Sequence, residues 1–409
     1  MFSLTATDGG ARAALGMLAG VLLCYAFAAF GWVGLPAQLA FIAVLVCALW
    51  SLLALRDGRA AWMLGIVAVL LVLALGSPTD EWDPRSIWML HAKRIYLENS
   101  LYAQLDGYAI FSHNDYPSLM PLWSATAARV VGHWNEIFPK AAATLLLLPP
   151  LLLIARSLST WWAAGLLAVA VLEVGGRYLV DGYMDAFLAV YAVAALAVAI
   201  PPRVAAEGRW FNFAAYAALS SVLTMVKNEG AVLAILVGLV AVVTVLLRDR
   251  RIPWALLASI AVSMVPLVAW KLAVAGAELG NDLVASDLKG QLLARLSELA
   301  PSVLILKALL RSAAWVPLVL LLVLWARMWR VPAARAALMV AVAYFGVLFA
   351  VYLSTPHDLA WHLATSAKRV ALPVQLLLTY AVLVLLDQWR PAAPREADPG
   401  NRNAVPAPR

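Results

Sequence analysis

Long apolar runs, separated mostly by turns too short to hold a soluble domain, constrain this chain more than any other feature. They fall near residues 13–31, 36–55, 60–77, 138–155, 161–176, 184–201, 210–226, 230–247, 253–275, 303–325, 336–354 and 370–388. Crossing a hydrocarbon core takes ~20 apolar residues of helix, and a helix satisfies its backbone polar groups within itself. The pattern predicts an all-α fold, a polytopic transmembrane helix bundle of about twelve spans. Composition agrees. The 409 residues are 64% hydrophobic and 13% charged, with a mean hydropathy of +0.86, whereas soluble domains average roughly 45–50% and about 25%. The formal net charge of +7 is scattered through short loops, which marks orientation and not a nucleic-acid surface. Cys24 and Cys47 lie inside apolar runs and supply no disulfide framework. No convincing cleavage site follows the first run, so an uncleaved first span is expected.

Charge then sorts the loops. Arg56 and Arg59 follow the second run, Arg156 the fourth, and Arg203 and Arg209 the sixth. Arg248, Arg250 and Arg251 follow the eighth, and Arg327, Arg330 and Arg335 the tenth. Every even-numbered exit is basic, which predicts that those loops and both termini are cytoplasmic. Residues 1–389 form one transmembrane domain on this reading. The Pro-, Ala- and Arg-rich stretch 390–409 is expected to be a disordered cytoplasmic tail. The other side collects the loop 78–137, the turn 177–185, Lys227-Asn228-Glu229-Gly230, the connection 277–300 and the segment 355–369. Leu119–Val131 is either another short span or a helix lying on the membrane surface. Five polar segments on one side place the candidate site on the extracytoplasmic face.

Acids are costly near hydrocarbon, so Asp80, Glu81 and Asp83 at the mouth of the third span stand out. Trp82 and Trp88 place that stretch in the interfacial zone. Carboxylates there suit a general base or a divalent cation such as Mg or Mn; no spacing demands the metal. Residues 84–101 are expected to form a helix entered through Pro84 and capped by Asp83. Ile87, Leu90, Ile95 and Tyr96 would then face the membrane, with Arg85, Lys93 and Arg94 toward headgroups or a phosphate. Ser112-His113-Asn114-Asp115-Tyr116-Pro117 has the chemistry of a turn. Arg177, Asp181 and Asp185 at i, i+4 and i+8 suggest one helical face with local ion pairing. Lys227 and Glu229 interrupt two apolar runs, either as a capping pair or as a cation that meets an anionic ligand with an acid to orient it. His357 and His362 lack zincin spacing, which argues against zinc. Lys368 and Arg369, beside Thr365 and Ser366, suit either a phosphate or snorkelling to the interface.

In combination these residues resemble the GT-C superfamily of polytopic glycosyltransferases, which includes protein O-mannosyltransferases, oligosaccharyltransferases and the aminoarabinose transferase of lipid A. The likeness rests on Trp82-Asp83, Trp88 and Lys93; on Tyr116, Pro117 and Pro121; and on Gly182, Tyr183 and Asp185. It rests further on Lys227 to Gly230, and on Trp361, His362, Leu363, Ser366 and Arg369. These motifs run from residue 82 to residue 369. The resemblance implies a GT-C-like fold with a catalytic first large loop at about 78–137, in the bacterial inner membrane. It implies inverting transfer of a sugar from a polyprenyl-phosphate donor to a hydroxyl of a glycan, lipid or protein acceptor. Asp83 takes the base role, with Glu81 or Asp80 as substitutes; Lys93, Arg177, Lys227, Glu229, His362 and Arg369 are the expected substrate- and phosphate-binding residues, the cations among them holding the phosphate. The catalytic loop of the superfamily follows the first span; here it follows the third, which keeps it on the same side. The rival reading is a transporter or flippase of lipid-linked sugars.

Overall fold

A computed structural model describes residues 6–103, 105–201, 209–279 and 288–388, and among them there are helices and no strand. The first three helices are α1 (Ala6–Ala29), α2 (Leu35–Ser51) and α3 (Gly58–Gly76). The loop region carries α4 (Met89–Glu98) and α5 (Leu119–Val131), and α6 (Phe138–Ala142) and α7 (Leu148–Ser157) follow it. Next come α8 (Trp161–Gly175), α9 (Asp185–Ala199), α10 (Arg209–Val226), α11 (Asn228–Asp249) and α12 (Trp254–Gly276). The remainder is α13 (Leu288–Ser297), α14 (Leu299–Arg311), α15 (Trp315–Val323), α16 (Trp325–Met328), α17 (Pro332–Ser354), α18 (Leu359–Val370) and α19 (Leu372–Asp387).

Nine helical stretches among the described residues are long and apolar enough to cross a membrane, ten if α14 and α15 count as one broken span. The chain is therefore a multi-pass helical membrane protein by composition and architecture. Asp185–Ala199 and Trp210–Val226 are apolar but shorter, so they do not meet the length on which the twelve-span expectation rested. The run at 303–325 is not one straight span, because α14 and α15 meet at 83°. Gln375 donates through Nε2 to the Ser312 carbonyl (2.6 Å), satisfying a backbone group freed at that break. Arg203 and the tail 390–409 lie outside the described residues.

The centre of the bundle is α9. It is buried along nearly its whole length, wrapped by α7, α10, α11 and α19. An all-round apolar helix has no wet face to present and sits inside its neighbours. By contrast, α2, α3 and α12 expose Leu39, Val72 and Val265 on their outer sides, where lipid tails replace water as solvent.

Two ends of the bundle differ in chemistry. At one, Arg59 donates to the Leu158 carbonyl and Asp387 accepts from Ser159, Thr160 and the Thr160 hydroxyl. Arg156 joins Asn212, and Arg327 joins the Gln388 carbonyl. These ties gather the arginine-bearing turns at a single end. Contacts between 77–137, 177–185, 227–230 and 355–369 gather the acid-rich segments at the other.

Several local expectations are corrected. Asp83 has helical backbone angles (φ −62°, ψ −47°) and makes no cap bond, because its carboxylate turns to Arg369. A π-helical turn, Pro84–Trp88, precedes α4, which ends at Asn99 in the left-handed region (φ 51°). Ile87 and Ile95 are buried against protein rather than turned to the membrane. Leu119–Val131 is neither a span nor a surface helix. Its residues from Leu119 to Ala128 are all buried, and it packs on α4, α6 and α2. Arg177, Asp181 and Asp185 do not share a helical face: a 3-10 turn covers Gly176–Leu179, and the chain turns at Gly182 with φ +94°. A Cβ at Gly182 would also lie 3.1 Å from Lys140 Cγ and 3.2 Å from Pro84 Cβ, so this turn requires glycine twice over.

Candidate functional site

The acid-rich end is organised by a chain of five charges that alternate in sign. Asp83 pairs with Arg369 through Oδ2 and Nη1. The same Arg369 nitrogen lies 3.9 Å from Asp185 Oδ2, and Asp185 Oδ1 accepts from Lys227 Nζ at 3.1 Å. Lys227 Nζ then reaches Glu229 Oε1 at 2.9 Å. Asp83, Asp185 and Lys227 are all buried. Buried charges persist only when paired, so the alternation is what allows two carboxylates and an ammonium to sit this deep, with the partly exposed Glu229 closing the chain. Each position has a backbone cause. Asp83 opens the turn after α3, Asp185 is the first residue of α9, and Lys227 is the single extended residue (φ −165°, ψ 160°) between α10 and α11. Arg369 is in the last turn of α18, where a cation suits the helix dipole.

Aromatic rings enclose this chain. The Arg369 guanidinium lies 5.3 Å from the Tyr183 ring centroid, and Lys227 Nζ lies 5.7 Å from that of Tyr116. Tyr116 stacks on Trp88 at 5.6 Å and on His113 at 4.7 Å. Tyr183 donates its hydroxyl to Glu81 Oε2 (3.1 Å), and Arg177 Nη1 meets Glu81 Oε1 at 2.7 Å. Burial first, and then the nearby Asp83 and Glu81 carboxylates, push the Tyr183 phenol above its ordinary range. It stays protonated as a donor.

The predicted residues do not all meet. Glu81 and Asp83 part company, one to Arg177 and the other to Arg369, and Asp80 is exposed. Among the described residues no three His, Cys, Asp or Glu side chains converge as a metal-holding group. Glu81, Asp83, Asp185 and Glu229 are each paired with a cation. Lys93 pairs at 3.3 Å with Glu136, and both are half exposed; no contact joins it to the buried chain. His362 Nδ1 lies 2.8 Å from the Thr355 hydroxyl, and Ser366 donates to the His362 carbonyl and sits 2.7 Å from the Tyr352 hydroxyl. These two build the wall behind Arg369. Trp361 and Trp82 are exposed, against His357 and Phe111 respectively.

A second polar group adjoins the first and went unassigned in the sequence. Asp115 Oδ2 accepts from Asn228 Nδ2 (2.8 Å) and from Lys271 Nζ (3.3 Å), and Asn228 Oδ1 also accepts from Lys271 (2.9 Å). Trp270 Nε1 and Lys271 both hold the Asp115 carbonyl, at 3.0 and 3.1 Å. Asn228 lies between Lys227 and Glu229, so one helix start serves both groups. Lys140 is another: Nζ donates to the carbonyls of Ser77 and Pro78 and to the Ser77 hydroxyl, fixing the segment that leads to Asp83. The signal for Lys271 was a lone ammonium inside an otherwise apolar run. Three buried atoms in these groups have no partner: Arg369 Nε, Glu229 Oε2 and Asp115 Oδ1.

His91 supports the loop from beneath. Ser112 donates its hydroxyl to the Ser86 carbonyl (2.6 Å), so His91 Nε2, 3.1 Å away, must be the donor to Ser112. Burial chiefly, with His113 and Arg94 adding repulsion, lowers His91 to about 3. The unfolded loop takes up this proton below roughly pH 6.5 and the folded loop does not, so stability falls as pH drops from there toward 3. Amide exchange across 84–112 is expected to quicken as pH falls through this window, once intrinsic exchange is corrected for. In His91→Gln that pH dependence weakens by one proton; equal slopes in the two proteins would show that His91 is not responsible.

Compared with known proteins, the chain matches no family model, no curated protein and no solved structure.

Proposed function

We propose that the protein is a membrane glycosyltransferase that moves a sugar from a polyprenyl-phosphate carrier to an acceptor hydroxyl on the extracytoplasmic face. The observation that carries the reading is the meeting of Asp83 and Arg369, 286 residues apart, with Asp185 and Lys227 in the same charge chain. Those residues come from four of the motifs on which the GT-C resemblance rests. The unpartnered atoms support it too. Arg369 Nε is a donor suited to a phosphate oxygen, whereas Glu229 Oε2 and Asp115 Oδ1 are acceptors suited to sugar hydroxyls.

In the proposed step Arg369 exchanges Asp83 for the donor phosphate. This matters because a carboxylate held by a guanidinium is a poor base, and the exchange releases it only when donor is bound. Asp83 then accepts the acceptor's hydroxyl proton as that oxygen attacks the anomeric carbon. The bond from that carbon to the phosphate oxygen breaks with its electron pair, and polyprenyl phosphate leaves with inversion. Arg369 and Lys227 hold the growing negative charge, and Tyr183 keeps Glu81 and Arg177 beside them.

The test is direct. Purified protein in lipid nanodiscs is incubated with polyprenyl-phosphate sugars and a panel of hydroxyl acceptors, and polyprenyl phosphate release is measured. Release above the protein-free control is expected with at least one donor. A second reading, transport of the lipid-linked sugar, is favoured by the chain break at Lys227 and the 83° bend between α14 and α15. It predicts movement of intact donor between leaflets with no release of polyprenyl phosphate. Intact transfer of donor alone would sink the transferase reading.

A further inference from the structure

At the end of the bundle remote from Asp83, a cavity of about 700 Å³ opens between the end of α9, the start of α10, the end of α11 and the start of α12. A second, of about 210 Å³, shares Val198, Pro201 and Asn212 with it. Arg248 and Arg251 line the first, and Arg59 and Arg156 the second; Asp249 is the one acid named in either lining. Arg248 is forked onto Asp249 (2.7 and 3.0 Å), Arg59 onto Asp57 (3.0 and 3.0 Å), and Arg156 donates to Asn212 (2.9 Å). Arg251 is exposed. None of these side chains belongs to the carboxylate chain at the other end.

We infer that this crevice binds the headgroup of an anionic phospholipid. Three features of the crevice point to that occupant. Its basic residues are all arginines, whose planar fork pairs with phosphate oxygens in two places at once. The lining also includes apolar Phe213, Val245 and Leu256, which suits the upper acyl chain and not a wholly polar anion. Its depth is right as well. It lies where α11 ends and α12 begins, two membrane-crossing candidates, beside Trp254, 71% exposed, and Trp210, 80% exposed. Exposed tryptophans at helix ends mark headgroup level, and basic pockets between spans at that level hold acidic lipids. A charged lipid there would tie together α9 to α12, which also carry Asp185, Lys227 and Lys271 at their far ends.

Native mass spectrometry of the full chain, released from micelles holding equal phosphatidylglycerol and phosphatidylcholine, tests this. Wild type is expected to retain one phosphatidylglycerol preferentially. Arg248→Gln/Arg251→Gln is expected to lose that preference by about thirtyfold, two surface cations' worth. Arg311→Gln/Arg330→Gln, with the same change of net charge at exposed positions that line neither cavity, should keep it. Equal retention of the two lipids, an unchanged preference in the first double variant, or an equal loss in the second would each overturn the proposal. So would displacement of the lipid by inorganic phosphate at the same concentration, which would make the occupant a soluble anion. None of these outcomes depends on whether the protein transfers sugars.

Discussion

Replacing Asp83 with Asn is expected to slow transfer by about 10²–10⁴-fold at saturating donor, the usual worth of a general base. The substitution is a sensitive one because it keeps shape. An amide oxygen still accepts from Arg369 Nη1, so the pairing partner stays hydrogen-bonded while the basicity disappears. Monodispersity and apparent melting temperature, measured alongside, separate lost chemistry from lost folding. A further handle comes from the acceptor. If Asp83 removes the acceptor's proton, a more acidic hydroxyl needs the base less, and the Asn variant should recover a larger fraction of wild-type rate with it. If Asp83 only positions Arg369, the deficit should be the same for all acceptors. A well-folded Asn variant that transfers at the wild-type rate would remove Asp83 from the mechanism altogether.

Much of the architecture is legible in the sequence because a bilayer leaves few choices. A long apolar run must be helical and must hide its backbone, so the runs at 60–77, 230–247 and 336–354 correspond to α3, α11 and α17. Length is less legible. The run at 303–325 looks continuous, yet Lys307, Arg311 and Ser312 cluster at its middle, and the chain bends there. Loop helices are harder again, since nothing in Leu119–Val131 says whether its partner is lipid or protein. In the candidate site, Asp83, Asp185, Lys227 and Arg369 stand out because charge beside hydrocarbon has a large cost. Their pairing does not stand out, because it depends on which helix ends become neighbours. Spacing suggested that Arg177 would serve Asp181 and Asp185, but tertiary placement gave it to Glu81. Asp115 looked like an ordinary turn residue because Asn-Asp-x-Pro sequences make turns without any help. Its role depends on Asn228 and Lys271, 113 and 156 residues away, which the fold brings onto its carboxylate.

Lys227→Met is expected to cause the largest loss of stability of any single change in the candidate site, about 3–5 kcal/mol. The side chains of Lys227 and Asp185 are only 5% and 3% exposed, so water cannot take over the ammonium's role. Removing it leaves the Asp185 and Glu229 carboxylates facing each other's charge across the helix start. The five-membered chain holds three acids and two bases, a net charge of −1; the Met variant carries −2 in the same buried volume. Adding Asp185→Asn returns the sum to −1 and leaves Arg369 to Asp83. The double variant should therefore melt above Lys227→Met alone, with a coupling of the size found for charges in direct contact, about 0.5–3 kcal/mol. Strictly additive losses would mean that the two charges do not support each other. Activity offers a second, separable readout. The double variant regains stability but not transfer, since its buried ammonium is gone; full recovery of both would reduce Lys227 to a structural counter-ion and move the phosphate's cationic contact to Arg369 alone.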